Sequence, residues 1–381
     1  MIDVFTCFTE EAEDANKAVE DIKRGLDSMV LAANSVGILH CDSDYVDSGV
    51  MRAVCGALPF DVVGCTSFSS STNGGTGLIL TLTVLTSDDT EFVSGVTPEV
   101  GDDPRMPVDR LYEKFAARAK RPEMFIAFPP FLRNIGGDAF IRAIDACSGG
   151  VPIFGAISIS NDPTYRGCYT IHNGIHYEKS LALLGLYGNV DPYFFSVSVD
   201  FVDVLKQYAI VTSARGNCVF SINNMPAQDY FESIGLITEQ NPNALQALAL
   251  IFYPKNGPAR IRFCRDYNPD RSVVLTGEVP EGSSFAISAI EPDTIIRSAE
   301  EKICDALSIA RGRGMLMYSC AMRFWLLGIY GLDEHKNAAE CIGRAVPYHL
   351  VYTAGELVPT LSRDGKTSNV LQGGSLIICV L

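Results

Sequence analysis

Apolar and polar positions along this chain switch between two periods, and the switching recurs. Residues 36–41 form an apolar run of strand length, and 50–57 then place Val50, Ala53, Val54 and Ala57 on one helical face. Pro59 closes that helix. A second apolar run, 61–67, carries Gly64-Cys65-Thr66-Ser67, and a Ser/Gly-rich loop reaches Gly77 before a long strand over 78–85. The series returns as a strand at 124–128, a helix at 139–147, a strand at 152–158 carrying Gly155-Ala156-Ile157-Ser158, a polar loop and a strand at 181–186. It returns again at 315–319, 337–345, 347–351 and 375–381. Amphipathic helices over 15–26, 111–119 and 295–310 precede the three copies, and all three end in basic residues, the sign that suits a helix C-terminus. Strands at 92–96 and 195–199 trail the first two copies.

Between the second and third copies the period is that of strands alone. Segments 209–219, 245–253, 259–264, 273–279 and 285–290 alternate between turn signals at Pro254, Asn256-Gly257, Pro269 and Glu281-Gly282. Pro226 opens a short helix over 226–231. The pattern predicts an α+β fold: mixed sheets covered by helices, built from duplicated helix-strand-helix-strand-strand units with an antiparallel insertion. A four-layer helix-sheet-sheet-helix sandwich is one architecture that accommodates it. The expected division is an N-terminal domain of two units, residues 1–208, and a C-terminal domain, 209–381, holding the insertion and the third unit.

Composition narrows the classes. A net charge of −15 argues against nucleic acid and against anionic membrane surfaces as partners. None of the 12 cysteines forms a Cys-x-x-Cys pair, so no zinc spacing is present and a reducing, cytoplasmic setting is expected. The N-terminus has no basic region of a signal peptide, and no apolar run approaches the roughly 20 residues of a spanning helix. No cofactor and no metal are expected.

The third copy is richest in chemistry. Cys320 and Arg323 follow one strand, and Gly355 and Glu356 follow another. A guanidinium suits a carboxylate and a carboxylate suits an ammonium, so the pair fits a small zwitterion such as an amino acid. The same residues equally fit a salt bridge that locks the fold. Cys320 is a candidate nucleophile, yet none of the five histidines stands in a recognisable relation to it, which favours a pocket-lining role. The turn Gly64, Cys65, Thr66, Ser67 offers close backbone approach and hydroxyl donors. An ungapped alignment from Pro59 and Pro347 sets Ser67 against Gly355 and Phe68 against Glu356, leaving the first copy without the acid. Asn73-Gly74-Gly75-Thr76-Gly77 leads into a strand and lacks Lys-Ser/Thr, which excludes a P-loop. Trp325, the single tryptophan, suits a pocket wall, though core packing is the commoner use of a tryptophan.

Ser319-Cys320-Ala321-Met322-Arg323, Gly355-Glu356, Asn369, the stretch from Thr212 through Pro226-Ala227, and Val63-Gly64-Cys65-Thr66-Ser67 together resemble the FIST family (F-box and intracellular signal transduction), over nearly the whole chain. The resemblance implies a small-molecule-binding sensory protein that is not an enzyme and signals through a separate output protein, since no output segment follows Leu381. Its implied ligand-binding residues are Cys320, Arg323, Gly355, Glu356, Asn369, Gly64, Cys65, Thr66 and Ser67. Phe68-Ser69 stands where relatives often carry Gly-Glu, which puts a second charged site in doubt. A Cys- or Ser-dependent amide hydrolase is the alternative, and a homodimer is the default assembly.

Overall fold

The structure, a computed structural model, describes residues 2–162, 164–198, 203–255, 259–289, 291–361 and 367–381. β1 (Asp3–Thr9) opens the chain, and α1 (Ala15–Leu26) follows, its first amides capped by the Asp14 carboxylate. β2 (Asn34–Cys41) passes through α2 (Ser43–Asp47) and α3 (Val50–Gly56) to β3 (Asp61–Thr66), parallel to β2. The Ser/Gly stretch expected as a loop is a hairpin, β4 (Ser70–Thr72) and β5 (Gly75–Gly77), and β6 (Leu80–Ser87) follows it. The second series runs β7 (Thr90–Val96), α4 (Arg105–Ala116), β8 (Met124–Phe128), α5 (Gly137–Ser148) and β9 (Ile153–Ala156). A hairpin, β10 (Thr170–His172) and β11 (Ile175–Tyr177), then leads to β12 (Ala182–Gly188).

β13 (Tyr193–Ser198) precedes the insertion. The insertion comprises β14 (Asp203–Arg215), β15 (Cys218–Ile222), β16 (Met225–Pro226), α6 (Ala227–Ser233), β17 (Ala249–Tyr253), β18 (Arg260–Tyr267), β19 (Val273–Leu275) and β20 (Ser284–Ala289). The single strand expected over 209–219 is broken by Gly216, whose φ of 59° turns β14 into β15. The third series resumes with α7 (Pro292–Ala310), β21 (Met315–Cys320), α8 (Ala321–Leu327), α9 (Asp333–Ile342) and β22 (Tyr348–Thr353). It ends with a hairpin, β23 (Glu356–Leu361) and β24 (Thr367–Gln372), and β25 (Ser375–Val380).

The three series make three mixed sheets of one strand order: β1-β6-β2-β3-β10-β11, β7-β12-β8-β9-β23-β24 and β13-β25-β21-β22-β4-β5. In each, the last two strands are a hairpin sent from another series, so the exchange closes a circle. The strands expected to trail the first two copies, 92–96 and 195–199, instead lead the next: β7 pairs with β12 and β13 with β25. β1 is their counterpart on β6.

All three sheets turn one face to a shared core that includes Ile38, Val63, Phe128, Phe154, Tyr318 and Ile377. The other faces pack beneath α1 and α3, α4 and α5, and α7 and α9. The arrangement is therefore three sheets around one core rather than a four-layer sandwich. Close strand approach depends on glycine at two matching places: a Cβ on Gly64 would lie 1.8 Å from the Leu39 carbonyl oxygen, and one on Gly155 2.0 Å from that of Ala127.

Three asparagines latch the exchanged hairpins. Asn73 Oδ1 accepts from the Tyr348 amide (3.0 Å), Asn173 Oδ1 from Val62 (2.8 Å) and Asn369 Oδ1 from Ile153 (2.8 Å). Each Nδ2 donates onward, Asn369 to the Asp145 carboxylate at 2.7 Å and the Val151 carbonyl at 2.9 Å.

The insertion is an antiparallel sheet, β14-β20-β17-β18-β19-β15-β16, with its own core of Phe231, Phe252, Phe285 and neighbours. Polar contacts fasten it to the second series. Arg262 reaches both oxygens of Asp138 (3.3 Å), Arg133 pairs with Asp266 (2.7 Å), and Asn217 donates to the Arg133 carbonyl (3.0 Å).

Candidate functional site

The three sheets meet where β3, β9 and β22 end. There the Phe68 amide donates to the Tyr352 carbonyl (3.2 Å), Ile159 to Thr66 (3.1 Å) and Ala354 to Ile157 (3.1 Å). This ring sets Ser67 in register with Ser158 and Thr353, and Phe68 with Ile159 and Ala354. The ungapped pairing of Ser67 with Gly355 and Phe68 with Glu356 is displaced, because the chain is longer between Pro59 and Ser67 than between Pro347 and Thr353. The counterparts of Glu356, each the first residue of an exchanged hairpin, are Ser70 and Thr170. The first series still carries no acid there.

Arg323 lies on the first turn of α8 and is fully buried. Its Nε and Nη2 donate to Glu334 Oε1 at 2.9 and 2.6 Å, and Nη2 also reaches the Ile295 carbonyl at 2.9 Å. Ser319 donates to the other Glu334 oxygen at 2.8 Å. Burial pulls the Glu334 carboxyl upward, but the charge and hydrogen bonds of Arg323 outweigh it and hold it below the usual carboxylate range. The fork expected to await a ligand carboxylate is thus filled by Glu334, a residue that looks like solvent-facing charge in the sequence of α9.

Glu356 is also fully buried, and it meets hydroxyls: Thr353 at 3.2 Å and Ser375 at 2.8 Å. Burial drives its carboxyl well above the usual range, against the two hydroxyls that donate to it. Arg323 and Glu356 therefore do not form a facing pair of free charges. Cys320 caps α8 and is buried, and desolvation with Glu356 nearby raises its thiol far above the ordinary value.

The remaining expected site residues serve the scaffold. Gly355 accepts the Ile157 amide, and Asn369 is one of the three latches. Gly64 makes the close strand approach, and Cys65 lies in the shared core beside His40 (3.6 Å). Thr66 exchanges hydrogen bonds with Tyr169, and the Ser67 hydroxyl lies 3.4 Å from that of Ser70.

Above the ring, between it and the insertion, lie two adjoining cavities. The outer, of ≈ 530 Å³, is walled by Phe68, Tyr165, Met322 and Trp325, with Asp162 and Gln246 as polar lining. The inner, of ≈ 30 Å³, is bounded by Arg265, Phe131, Thr353 and Cys320, and shares Tyr165, Cys264, Met322 and Trp325 with the outer one. Cys320 is the one residue of the expected set that borders either. Trp325 lines both cavities rather than the core, about half exposed and 6.1 Å from the Phe68 ring. Tyr165 holds a φ of 60°, a costly conformation for a tyrosine that marks a constrained position.

Arg265 went unnoticed in the sequence, although a signal was present: it shares the alternating face of Ile261 and Phe263, where the period calls for an apolar residue. Its guanidinium lies 3.5 Å from the Phe131 ring centre and 5.3 Å from that of Tyr165. Nη1 donates to the Leu132 carbonyl at 2.8 Å. Burial lowers its pKa to about 10, which leaves it charged at neutral pH. Among the described residues no grouping of His, Cys, Asp and Glu suits a metal ion, and no helix is long and apolar enough to cross a membrane.

A family model described as FIST N domain matches residues 35–225, and one described as FIST C domain matches 222–359. The chain belongs to the FIST family. FIST domains are signal-transduction sensory domains, and a small-molecule ligand fits that role. The comparison with curated proteins gives no match. Among solved structures, this FIST chain is similar to one described as "Cyanuric acid hydrolase: evolutionary innovation by structural concatenation", at 9% identity over 68% of this chain and 82% of that one, with a TM-score of 0.27. It is also similar to T. maritima PurL complexed with FGAR, at 10% identity over 100% of this chain and 72% of that one, with a TM-score of 0.19. Likeness of this degree carries no argument about fold or function.

Proposed function

We propose that this FIST protein is a small-molecule sensor whose ligand occupies the cavity between the strand-end ring and the insertion. The observation that carries the reading is a polar-and-aromatic cavity whose floor comes from the joined sheets and whose roof comes from a separately cored sheet. A ligand touching both would favour the state in which they are docked, which is what a sensor requires of its ligand. An amino acid or similar small zwitterion remains the proposed ligand, but with Arg265 and Asp162 in the parts first given to Arg323 and Glu356. The output passes to a separate protein, and the three series arise by duplication, with the domain division at 208/209. No observation favours the hydrolase: burial raises the Cys320 thiol far above its ordinary value, and among the described residues the hydroxyl of Ser67 meets only that of Ser70.

Thermal-shift screening of the common amino acids and small organic acids and amines, read beside Trp325 emission, tests the site. A compound that raises Tm and perturbs Trp325 is expected. Stabilisation with unchanged Trp325 emission, or none across the panel, would sink the reading.

A further inference from the structure

Three arginine side chains lie near the ring and the insertion, and the two that are fully buried are saturated. Arg323 is held by Glu334, and Arg262 by Asp138 and the Glu278 and Ile261 carbonyls. Arg265 differs. Of its five N–H donors the structure assigns one, to Leu132, and among the described residues no carboxylate forms an ion pair with it. Its sequence neighbour Asp266 is taken by Arg133. Arg265 is only partly shielded from solvent, so its remaining donors are open to whatever enters the cavity, water or a ligand.

The backbone aims Arg265 deliberately. β18 pairs Cys264 with Leu275 and Asp266 with Val274, so Arg265 is the extra residue of a β-bulge, a device that redirects a side chain beside a site. It points into the inner cavity, where Thr353 and Thr276 add hydroxyls. Phe131 lies against one face of the guanidinium and Tyr165 stands farther off, which leaves the edge as the route of approach. Nη1 is occupied, so the open edge is Nε with Nη2. Two parallel N–H bonds along one edge match the two coplanar oxygens of a carboxylate. Beyond them the outer cavity offers Phe68, Met322 and Trp325, surfaces for an apolar body.

We infer that the ligand of this site, on the reading above, is an organic carboxylate with an apolar or aromatic body, its acid group held edge-on by Arg265 and its body lying against Trp325. Arg265 is then the residue that determines specificity for the acid.

The test titrates the full chain with acid and amide pairs that differ only at the acid group: butyrate and butyramide, hexanoate and hexanamide, phenylacetate and phenylacetamide, with phenyl phosphate as a further arm. Trp325 emission reports occupancy, and calorimetry gives affinity. At least one acid is expected to bind at least about tenfold more tightly than its amide. Arg265→Met is expected to bring each pair within about twofold, and Arg265→Lys to retain part of the preference. An unchanged Tm in Arg265→Met separates lost recognition from lost folding, and Arg265→Gln serves if Met unfolds the chain. Equal binding of acid and amide, a preference that survives Arg265→Met, tighter binding of phenyl phosphate, or no bound acid would each overturn the inference. Amides or amines that perturb Trp325 while acids do not would overturn it and leave the cavity reading standing. A compound that stabilises the protein without touching Trp325 would overturn both.

Discussion

Arg323 and Arg265 border the same strand ends and have opposite surroundings. Arg323 sits on α8 with Glu334 and the Ile295 carbonyl around it, Ser319 holds the far oxygen of Glu334, and neither Arg323 nor Glu334 touches solvent. Arg265 sits on a bulged strand of the insertion, against an aromatic ring and open to a cavity. The first has spent its hydrogen bonds on the fold, and the second has kept most of them. An arginine next to a Ser-Cys motif draws the eye in a sequence, but availability is decided by which carboxylate the fold brings to it.

The sharpest way to break the comparison is to remove each arginine. Arg323→Ala leaves Glu334 buried without its counter-charge and is expected to cost about 3–5 kcal/mol, seen in urea unfolding. Arg265→Met removes a charge that has no carboxylate partner among the described residues and is expected to change stability by no more than about 1 kcal/mol while abolishing acid preference. Comparable losses in both variants would erase the distinction.

The two buried glutamates give a smaller contrast of the same kind. Glu334→Gln is expected to destabilise by about 2–3 kcal/mol through loss of the charge-assisted bonds to Arg323. Glu356→Gln keeps a group of similar shape where burial disfavours the carboxylate, and is expected to change stability at pH 7 by no more than about 1 kcal/mol. The folded pKa of Glu356 lies above its unfolded value, so its ionisation erodes stability as pH rises, and the Gln variant should lose that dependence.

Acidification probes the buried histidines rather than the cavity. His40 and His335 are held down to about 4, and His349 well below 6.5, all by burial. Below 6.5 the unfolded chain binds protons that the folded chain refuses, so stability should fall as pH drops from 6.5 towards 4. A double variant His40→Asn, His349→Asn should flatten that slope, as measured by chemical denaturation across the window.

Much of the scaffold was legible because it is local. The helix at α1 and the strands at β2, β8, β21 and β25 follow from period and caps alone. Asn369 stood out in the sequence without revealing its work, since its counterparts Asn73 and Asn173 are visible only once the hairpins cross between sheets. β1, β7 and β13 were hard to assign because an edge strand takes its partner from distant residues. The site was less legible still. Glu334 and Arg265 carry no motif, and each acquires its role from a neighbour remote in sequence: Arg323 across a loop, and Phe131 from another series. The stretch 362–374 reads as a polar loop in the sequence but contains β24, and its residues 362–366 lie outside those described.

The measurement that bears most directly on the central claim is a crystal structure of the full chain with the tightest-binding carboxylate from the titration. The account predicts density between Trp325 and Arg265, with the acid group along the Nε and Nη2 edge and the Arg323–Glu334 pair undisturbed. Density against Arg323 with Glu334 displaced, or an acid group turned away from Arg265, would contradict it.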